Sequence, residues 1–223
     1  MSNVEHGLMA KLCTVFLLLF SIYVNGDSVS KRVVGSFSTE SLDAWEIIEF
    51  ESKTVYRLVK NESAMVLLST SEASASGLMN NQEVDIQKYP FLNWRWQAIK
   101  KLSPMNEQKK EGDDYVARIY VLVSDGWFFW NTKALNYVWS SQPIKGVSWP
   151  NAYAPDNTKM IALRTSNDDA GTWYIEKRNI YEDLKQWLGK NIEQVDAIAI
   201  MTDSDDSASS ASAMYGDIYF SSE

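Results

Sequence analysis

The stretch GDDYVARIYVLVSD, residues 112–125, decides the fold more directly than any other part of the chain. Two aspartates, Asp113 and Asp114, precede residues 115–123, which are mostly β-branched and aromatic, as is typical of strands. Side chains alternate between the two faces of a strand, and both faces of this run are largely apolar. The run therefore predicts a strand that is covered on both sides, in the middle of a sheet.

The same period of two recurs along most of the chain after residue 30. In LNWRWQAI, residues 92–99, the tryptophans fall on one face and polar side chains on the other. Further strands are predicted at residues 45–50, 54–60, 64–70, 134–141, 159–165, 172–178, 196–203 and 215–222. Short strands separated by Gly, Asn, Asp and Ser clusters predict an all-β fold, an antiparallel β-sandwich or jelly roll.

One segment breaks this pattern and predicts a short helix. In NIYEDLKQWLGKN, residues 179–191, Asn179 can cap the helix and Glu182 completes the capping-box spacing. Gly189 suits the left-handed position that commonly follows the last helical residue.

Three polar segments are predicted to connect these elements. Residues 100–114 are expected to form an exposed connection between two strands. The Ser- and Ala-rich residues 204–213 are expected to form a mobile loop, and SNDDAGTW, residues 166–173, a hairpin turn.

The totals favour a single domain without a nucleic-acid partner. The chain has 223 residues, 45% of them hydrophobic, which supports one sizeable core. The net charge is −8 and no basic block is present, so nucleic acid is excluded as an expected partner. We predict one β-sandwich domain over residues 27–223.

The first residues resemble a secretory signal peptide. Lys11 precedes an uncharged run, residues 12–24, which is too short for a spanning helix and fits a signal-peptide core. Val24 and Gly26 suit the cleavage site, so we expect a leader at residues 1–26 and a periplasmic or secreted protein. The alternative is an uncleaved leader, which would be the expected route to a membrane.

Removal of this leader would restrict the available chemistry. The single histidine, His6, and the single cysteine, Cys13, both lie in it. The mature chain would then lack disulfides, cysteine nucleophiles, histidine triads and His/Cys zinc sites. An ion would need oxygen ligands, which suit Ca²⁺ or Mg²⁺.

The acidic residues supply two candidate groups. Asp203, Asp205 and Asp206 follow an apolar strand and are the candidate Ca²⁺ ligands, although the EF-hand glycine and closing glutamate are missing. A solvated acidic loop is the alternative. Asp113 and Asp114 predict a turn, and because neighbouring strand residues point to opposite faces, at most one of them enters a given site.

The aromatic content points to a ligand surface. Nine tryptophans and eleven tyrosines exceed what one sandwich core usually needs. Each ring taken singly is more often a core residue, but exposed rings beside polar groups are how sugars are gripped. The predicted ligand-facing residues are Trp127, Trp130, Trp139, Trp149, Arg118 and Asn136.

Five stretches in order resemble a known family. They are YPFLNWRW, GDDYVARIYV, ALNYVW, GTWYIEKRNIYEDLKQWLG and AIAIMTDSDD with AMYGDIYF. Together they resemble an exported bacterial family known as domain of unknown function 3047. The resemblance implies a galactose-binding-type jelly roll, the architecture common among carbohydrate-binding modules, and it implies no specific activity.

Three functions are therefore compared. The first is noncatalytic glycan binding. The second is glycan hydrolysis by a carboxylate pair, for which Asp114 and Asp203 are the candidates and Arg118 would lower one pKa. The third is a protein–protein interaction module of the cell envelope.

Overall fold

A computed structural model of the chain describes residues 29–39, 41–124 and 132–223. Within these ranges the chain forms sixteen β-strands, one α-helix and two short 3-10 helices. The first eight strands are β1 (Lys31–Gly35), β2 (Glu46–Glu51), β3 (Val55–Asn61), β4 (Ala64–Glu72), β5 (Ala75–Asn80), β6 (Val84–Asp85), β7 (Phe91–Lys100) and β8 (Arg118–Val123). The others are β9 (Lys133–Trp139), β10 (Ser148–Pro150), β11 (Thr158–Arg164), β12 (Tyr174–Asn179), β13 (Gln194–Val195), β14 (Ala197–Met201), β15 (Ser210–Tyr215) and β16 (Ile218–Ser221).

Most of these strands belong to two seven-stranded sheets, counted over the described residues. The first sheet has the order β1-β16-β7-β15-β4-β3, and β12 also pairs with β7. The second sheet has the order β10-β11-β9-β8-β14-β5-β2. The short strands β6 and β13 pair separately. The predicted all-β sandwich with one short helix is confirmed.

The core lies between the inner faces of the two sheets. From the first sheet it receives Trp94 and Trp96, whose rings meet edge to face with centroids 5.5 Å apart. From the second sheet it receives Ile119, Val121 and Trp139, each no more than 1% exposed. Burial of this apolar and aromatic surface is the main term that stabilises the sandwich.

Strand β8, which lies within residues 112–125, is central in its sheet, as predicted, but only one of its faces is covered by the other sheet. Strand β8 lies between β9 and β14. Its residues Ile119, Val121 and Val123 enter the core. Its other face is open beyond the buried Arg118, since Tyr120 and Leu122 are only half-buried.

The strand pairs are antiparallel with one exception among the described strands. Strands β9 and β11 run parallel, with Met160 level with Asn136. The chain reaches β11 through β10, which pairs antiparallel with β11. This intervening strand reverses the chain, so β11 can lie beside β9 in the same direction.

The predicted mobile loop at residues 204–213 is only partly a loop. Its second half belongs to β15, which lies between β7 and β4 in the first sheet. Ala211 and Ala213 alternate with half-buried residues and are no more than 1% exposed. Composition predicted a loop because Ser and Ala are weak strand formers, whereas their alternation with a period of two was the correct signal.

Residues 166–173 are likewise not a hairpin turn. They link β11 of the second sheet to β12 of the first, so the strands on either side do not pair. The Asp168 carboxylate accepts bonds from the backbone N–H and the hydroxyl of Thr165 and so fixes a local turn. The hairpin was wrongly predicted because turn-forming residues by themselves cannot tell a hairpin from a connection between two sheets.

The helix α1 (Ile180–Leu188) forms where its signals predict. The Asn179 side chain accepts a bond from the backbone N–H of Glu182 at 3.1 Å. Gly189 ends the helix with φ 67°, the left-handed conformation that glycine tolerates. Within the described ranges, no helix combines the length and the apolar character that crossing a bilayer requires.

The packing of β15 can be tested by enlarging a buried alanine. Ala213→Leu adds volume at a fully buried position, so we expect a loss of about 1–3 kcal/mol in the free energy of unfolding. Met214→Leu on the opposite face of the same strand is the control and should cost less than about 1.5 kcal/mol. Urea denaturation measures both. An unchanged midpoint for Ala213→Leu would contradict the placement of β15 in the sheet.

Candidate functional site

The outer face of the second sheet forms the floor of a cleft of about 910 Å³. This volume lies near the upper end of the range of roughly 300–1,000 Å³ that is usual for ligand pockets. The floor comes from outward-facing residues of four neighbouring strands, β2, β5, β14 and β8. The main ones are Ile48, Phe50, Met79, Ala199, Met201 and Tyr120.

Two aromatic side chains in the cleft are open to solvent. Phe50 is 67% exposed. Its ring lies beside Gly77 in the floor, since a Cβ atom built on that glycine would lie 3.9 Å from the ring. Tyr153 is 54% exposed and lies in the loop that follows β10. A large apolar ring exposed in a concave surface is a common feature of binding sites.

A buried ion pair lies at one end of this floor. Arg118 begins β8 and Asp203 follows β14, and the guanidinium Nη2 donates to the Asp203 carboxylate. Both residues are almost fully buried, with exposures of 4% and 1%. Burial raises the pKa of the Asp203 carboxyl, and the charge of Arg118 opposes that shift. The other Asp203 oxygen accepts the backbone N–H of Tyr115 at 3.2 Å.

The guanidinium of Arg118 is left with unused donors. Its Nε and Nη1 have no hydrogen-bond partner within the described residues, although both are buried. The Asp113 carboxylate lies 4.0 Å from Nη1. Asp113 is itself engaged, since its two carboxylate oxygens accept bonds from the Asn151 amide at 2.9 and 2.7 Å. A buried unsatisfied donor costs about 1–3 kcal/mol, so these atoms are suited to an oxygen of a ligand.

The two aspartates of the GDD turn have different roles. Asp113 lines the cleft, and burial raises the pKa of its carboxyl. Asp114 is fully buried, and its carboxylate accepts the backbone N–H groups of Asp206 and Ser207. The expectation that at most one of the pair enters a site agrees with this geometry. The hydrolase hypothesis selected Asp114, which instead holds the turn after β14.

The acidic turn after β14 forms the rim of the cleft beside the ion pair. Burial and repulsion by Asp114 raise the pKa of Asp205, and the pKa of Asp206 is raised for the same reasons. The Asp206 carboxylate accepts the Tyr153 hydroxyl at 2.5 Å. This bond ties the rim to the loop after β10.

One group of acidic residues in the described part of the chain could hold a cation. It consists of Asp114, Asp205 and Asp206, with one carboxylate oxygen from each within 4.8 Å of the others. The predicted set contained Asp203, which is instead engaged by Arg118. Two of the three predicted ligands therefore belong to the group, and Ca²⁺ binding stays a prediction.

The tryptophans predicted to face a ligand are buried wherever they are described. Trp139 is 1% exposed and donates its indole N–H to the Thr165 carbonyl within the core. Trp149 is 7% exposed and packs in a small second cluster with Tyr115. The prediction that these tryptophans are exposed was wrong. The core between the two sheets encloses Trp139, and the second cluster around Tyr115 encloses Trp149, so the fold buries more aromatic rings than a single sheet face could. Trp127 and Trp130 lie outside the described residues.

The two polar predictions have different outcomes. Arg118 lies at the cleft, and its contact with a ligand stays a prediction. Asn136 is fully buried on β9, and its amide lies 3.5 Å from the Met160 sulfur. It is therefore covered and does not reach the cleft.

Sequence reasoning missed the exposed aromatic residues of the cleft. Phe50 was recognised only as part of a predicted strand, and Tyr153 was not among the predicted ligand-facing residues. The alternation in EIIEF places Ile48 and Phe50 on one face, which was a usable signal. Nothing in the sequence indicated that this face is the open one.

The sequence model of a family described as protein of unknown function (DUF3047) matches residues 43–219, which is most of the chain. The chain belongs to this family. Among curated proteins, none matches the sequence of this DUF3047 protein.

Several solved structures are similar to this chain at low identity and low TM-score. A cellulose-induced protein, Cip1, has 10% identity and a TM-score of 0.47 over 85% of this chain and 97% of its own. Endoglucanase 3 of Trichoderma harzianum, from family GH12, has 8% identity and a TM-score of 0.45 over 87% and 97%. A carbohydrate-binding module of the β-sandwich superfamily has 9% identity and a TM-score of 0.45 over 83% of this chain. The DUF3047 protein spans 60% of that last chain.

The acidic rim predicts a pH-dependent stability. A carboxyl whose pKa is higher in the folded than in the unfolded chain loses stability as pH rises from the unfolded through the folded pKa. Asp205→Asn removes that loss, and its amide oxygen can still accept the residue's own backbone N–H. We expect the variant to be more stable than wild type at pH 7, with the difference shrinking as pH falls towards about 4.

The midpoints of urea denaturation, measured at pH 7 and at pH about 4, test this prediction. Glu83→Gln removes one exposed charge outside the cleft and should match wild type at each pH. A wild-type protein more stable than Asp205→Asn at pH 7 would show that Asp205 is stabilised in its charged form.

Proposed function

We propose that this protein binds carbohydrate noncatalytically in the cleft on the outer face of the second sheet. The observation that carries the proposal is the buried guanidinium of Arg118. Arg118 belongs to the lining of the cleft, beside exposed apolar and aromatic side chains, and its buried Nε and Nη1 have no hydrogen-bond partner among the described residues. Such a combination of ring faces and a few fixed polar groups suits sugars, which present C–H faces and hydroxyls together.

The exposed ring of Phe50 supplies the apolar contact. It is the most exposed aromatic side chain of the cleft that the structure describes. Phe50 stands on the edge strand β2 at a register shift, and its neighbours Glu49 and Glu51 pair with Ser76 and Ala75 of β5, which holds the backbone on either side of the ring. A ring on a rigid element loses little freedom when a ligand stacks on it, which favours binding.

Arg118 supplies the polar contact. Its orientation is fixed by Asp203 on one side, and its aromatic neighbours Tyr115 and Tyr120 lie with ring centroids 4.9 and 5.5 Å from the guanidinium carbon. Because the group is held before a ligand arrives, a hydroxyl oxygen can be bound without ordering a long side chain.

The hydrolase hypothesis has less support from the geometry. Asp114 does not line the cleft and is occupied by two backbone N–H groups. Asp203 is engaged by Arg118. An acid and a nucleophile must both face the scissile bond, and this pair does not provide two such carboxylates.

Export is part of the proposal and rests on the leader-like residues 1–26. Intact-mass measurement of the protein secreted or released from the periplasm of an expressing cell tests it. We expect a chain that begins near residue 27. A full-length chain retained in the cells would contradict export and leave the cleft argument unchanged.

Glycan binding can be tested by calorimetric titration with cello-, xylo-, galacto- and chito-oligosaccharides. We expect at least one series to bind wild type, and Phe50→Ala to weaken that binding about tenfold, which corresponds to about 1.4 kcal/mol. Since Phe50 is largely exposed, its replacement should leave the free energy of unfolding nearly unchanged.

Val55→Ala is the matched control for this substitution. Val55 is 56% exposed on the edge strand β3 and lies outside the cleft. It should bind as wild type does. If none of the four series binds, the glycan proposal fails and the exposed apolar residues of the cleft point to a protein partner of the envelope instead.

A further inference from the structure

The cleft carries an excess of negative charge. Its lining holds the carboxylates of Glu51, Asp113, Asp203, Asp205 and Asp206, and one guanidinium, that of Arg118. Clefts lined by one sign of charge concentrate ligands of the opposite sign and repel those of the same sign. Charge is therefore a criterion by which this cleft selects among sugars.

At the inner end of the cleft, where the buried ion pair lies, Arg118 compensates the negative charges. At the acidic rim, formed by the turn after β14, the negative charges are not compensated. Asp203 is paired with Arg118, and Asp113 lies 4.0 Å from the same guanidinium. Neither Asp205 nor Asp206 has a lysine or arginine within ion-pair distance in the described part of the chain.

The lysine beside Tyr153 does not neutralise the acidic rim. Lys110 lies over the Tyr153 ring, with its Nζ 4.9 Å from the ring centroid, and forms no ion pair with Asp206. Asp205 and Asp206 therefore stay close together, with the buried Asp114 beside them. Bringing a positive charge to this rim would remove their repulsion.

The inner end carries an independent observation that points to a ligand oxygen. Arg118 is 4% exposed and belongs to the lining of the cleft, and its Nε and Nη1 have no hydrogen-bond partner among the described residues. An anionic sugar could satisfy them, but it would also meet the unpaired carboxylates of the rim. A ligand with neutral oxygens for Arg118 and a cationic group for Asp205 and Asp206 satisfies both ends.

We infer that the cleft is selective for glycans that carry free amino groups, such as oligomers of glucosamine. The inference rests on the proposed function, since it names the class of sugar that the same cleft takes. The amino group lies at Asp205 and Asp206, the hydroxyls lie at Arg118, and a sugar ring stacks on Phe50. Uronic acids and sulfated sugars are disfavoured by the acidic rim.

The test is a calorimetric comparison of four oligosaccharides of equal length at pH about 6, where an amine is largely protonated. They are a glucosamine hexamer, an N-acetylglucosamine hexamer, a cellohexaose and a galacturonate hexamer. We expect the glucosamine hexamer to bind about tenfold more tightly than its acetylated form at low salt. Raising NaCl to about 0.5 M should reduce that ratio, because salt screens the exposed rim.

The double variant Asp205→Asn/Asp206→Asn locates the effect. We expect the ratio between the glucosamine and N-acetylglucosamine hexamers to fall to within about twofold. The control is Glu83→Gln/Glu193→Gln, which removes the same charge from exposed positions outside the cleft and should keep the ratio. If the double variant fails to fold, the salt series on wild type still decides.

The outcomes separate the inference from the proposed function. Equal or tighter binding of the acetylated hexamer, cellohexaose or galacturonate hexamer would overturn the inference while leaving glycan binding in place. No binding by any of the four would overturn both. Saturable binding of CaCl₂ alone that is lost in Asp205→Asn/Asp206→Asn would assign the rim to a metal and overturn the inference.

Discussion

The burial of one guanidinium is the constraint around which this end of the molecule is arranged. Desolvating a charged group costs several kcal/mol unless partners compensate it. Arg118 meets this cost through the carboxylate of Asp203, which follows β14, and through the nearby Asp113, in the connection before β8. The Asn151 amide in turn holds Asp113, so the pair also fixes the loop after β10. Three separated segments of the chain are thus brought to one point by a single charge.

The same strand supplies both the core and the cleft because its side chains alternate. Ile119 and Val121 enter the sandwich, while Arg118 and Tyr120 line the opposite face. The first sheet closes one side of the second, and loops close part of the other side around Trp149. The area left uncovered becomes the cleft. Its floor is therefore as rigid as the sheet, whereas its acidic rim belongs to a turn that Asp114 holds from below.

The acidic rim lowers the free energy of unfolding, and the burial of apolar side chains in the core has to offset this loss. Carboxyls with raised pKa values are destabilised in their charged form at neutral pH, and Asp205 and Asp206 are both of this kind. Unfavourable charges collected beside a cleft are typical of functional sites, where local stability is given up for binding. The exposed ring of Phe50 is a second departure of this kind.

The sequence by itself determined the all-β sandwich, the helix at residues 180–188 with its caps, and the family. The sandwich and the helix follow from local periodicity and capping chemistry, which act over a few residues and can be recognised without tertiary contacts. The family was indicated by the resemblance of five ordered stretches of sequence. The sequence also indicated Arg118 and the acidic turn, because polar residues beside apolar strands are conspicuous. Only the tertiary structure decided that β15 is a strand inside the first sheet, that Trp139 is enclosed and that Asp113 rather than Asp114 faces the cleft. Period-two alternation tells which residues share a face, but which face is covered depends on the second sheet and the long loops, and those contacts join residues far apart in the chain.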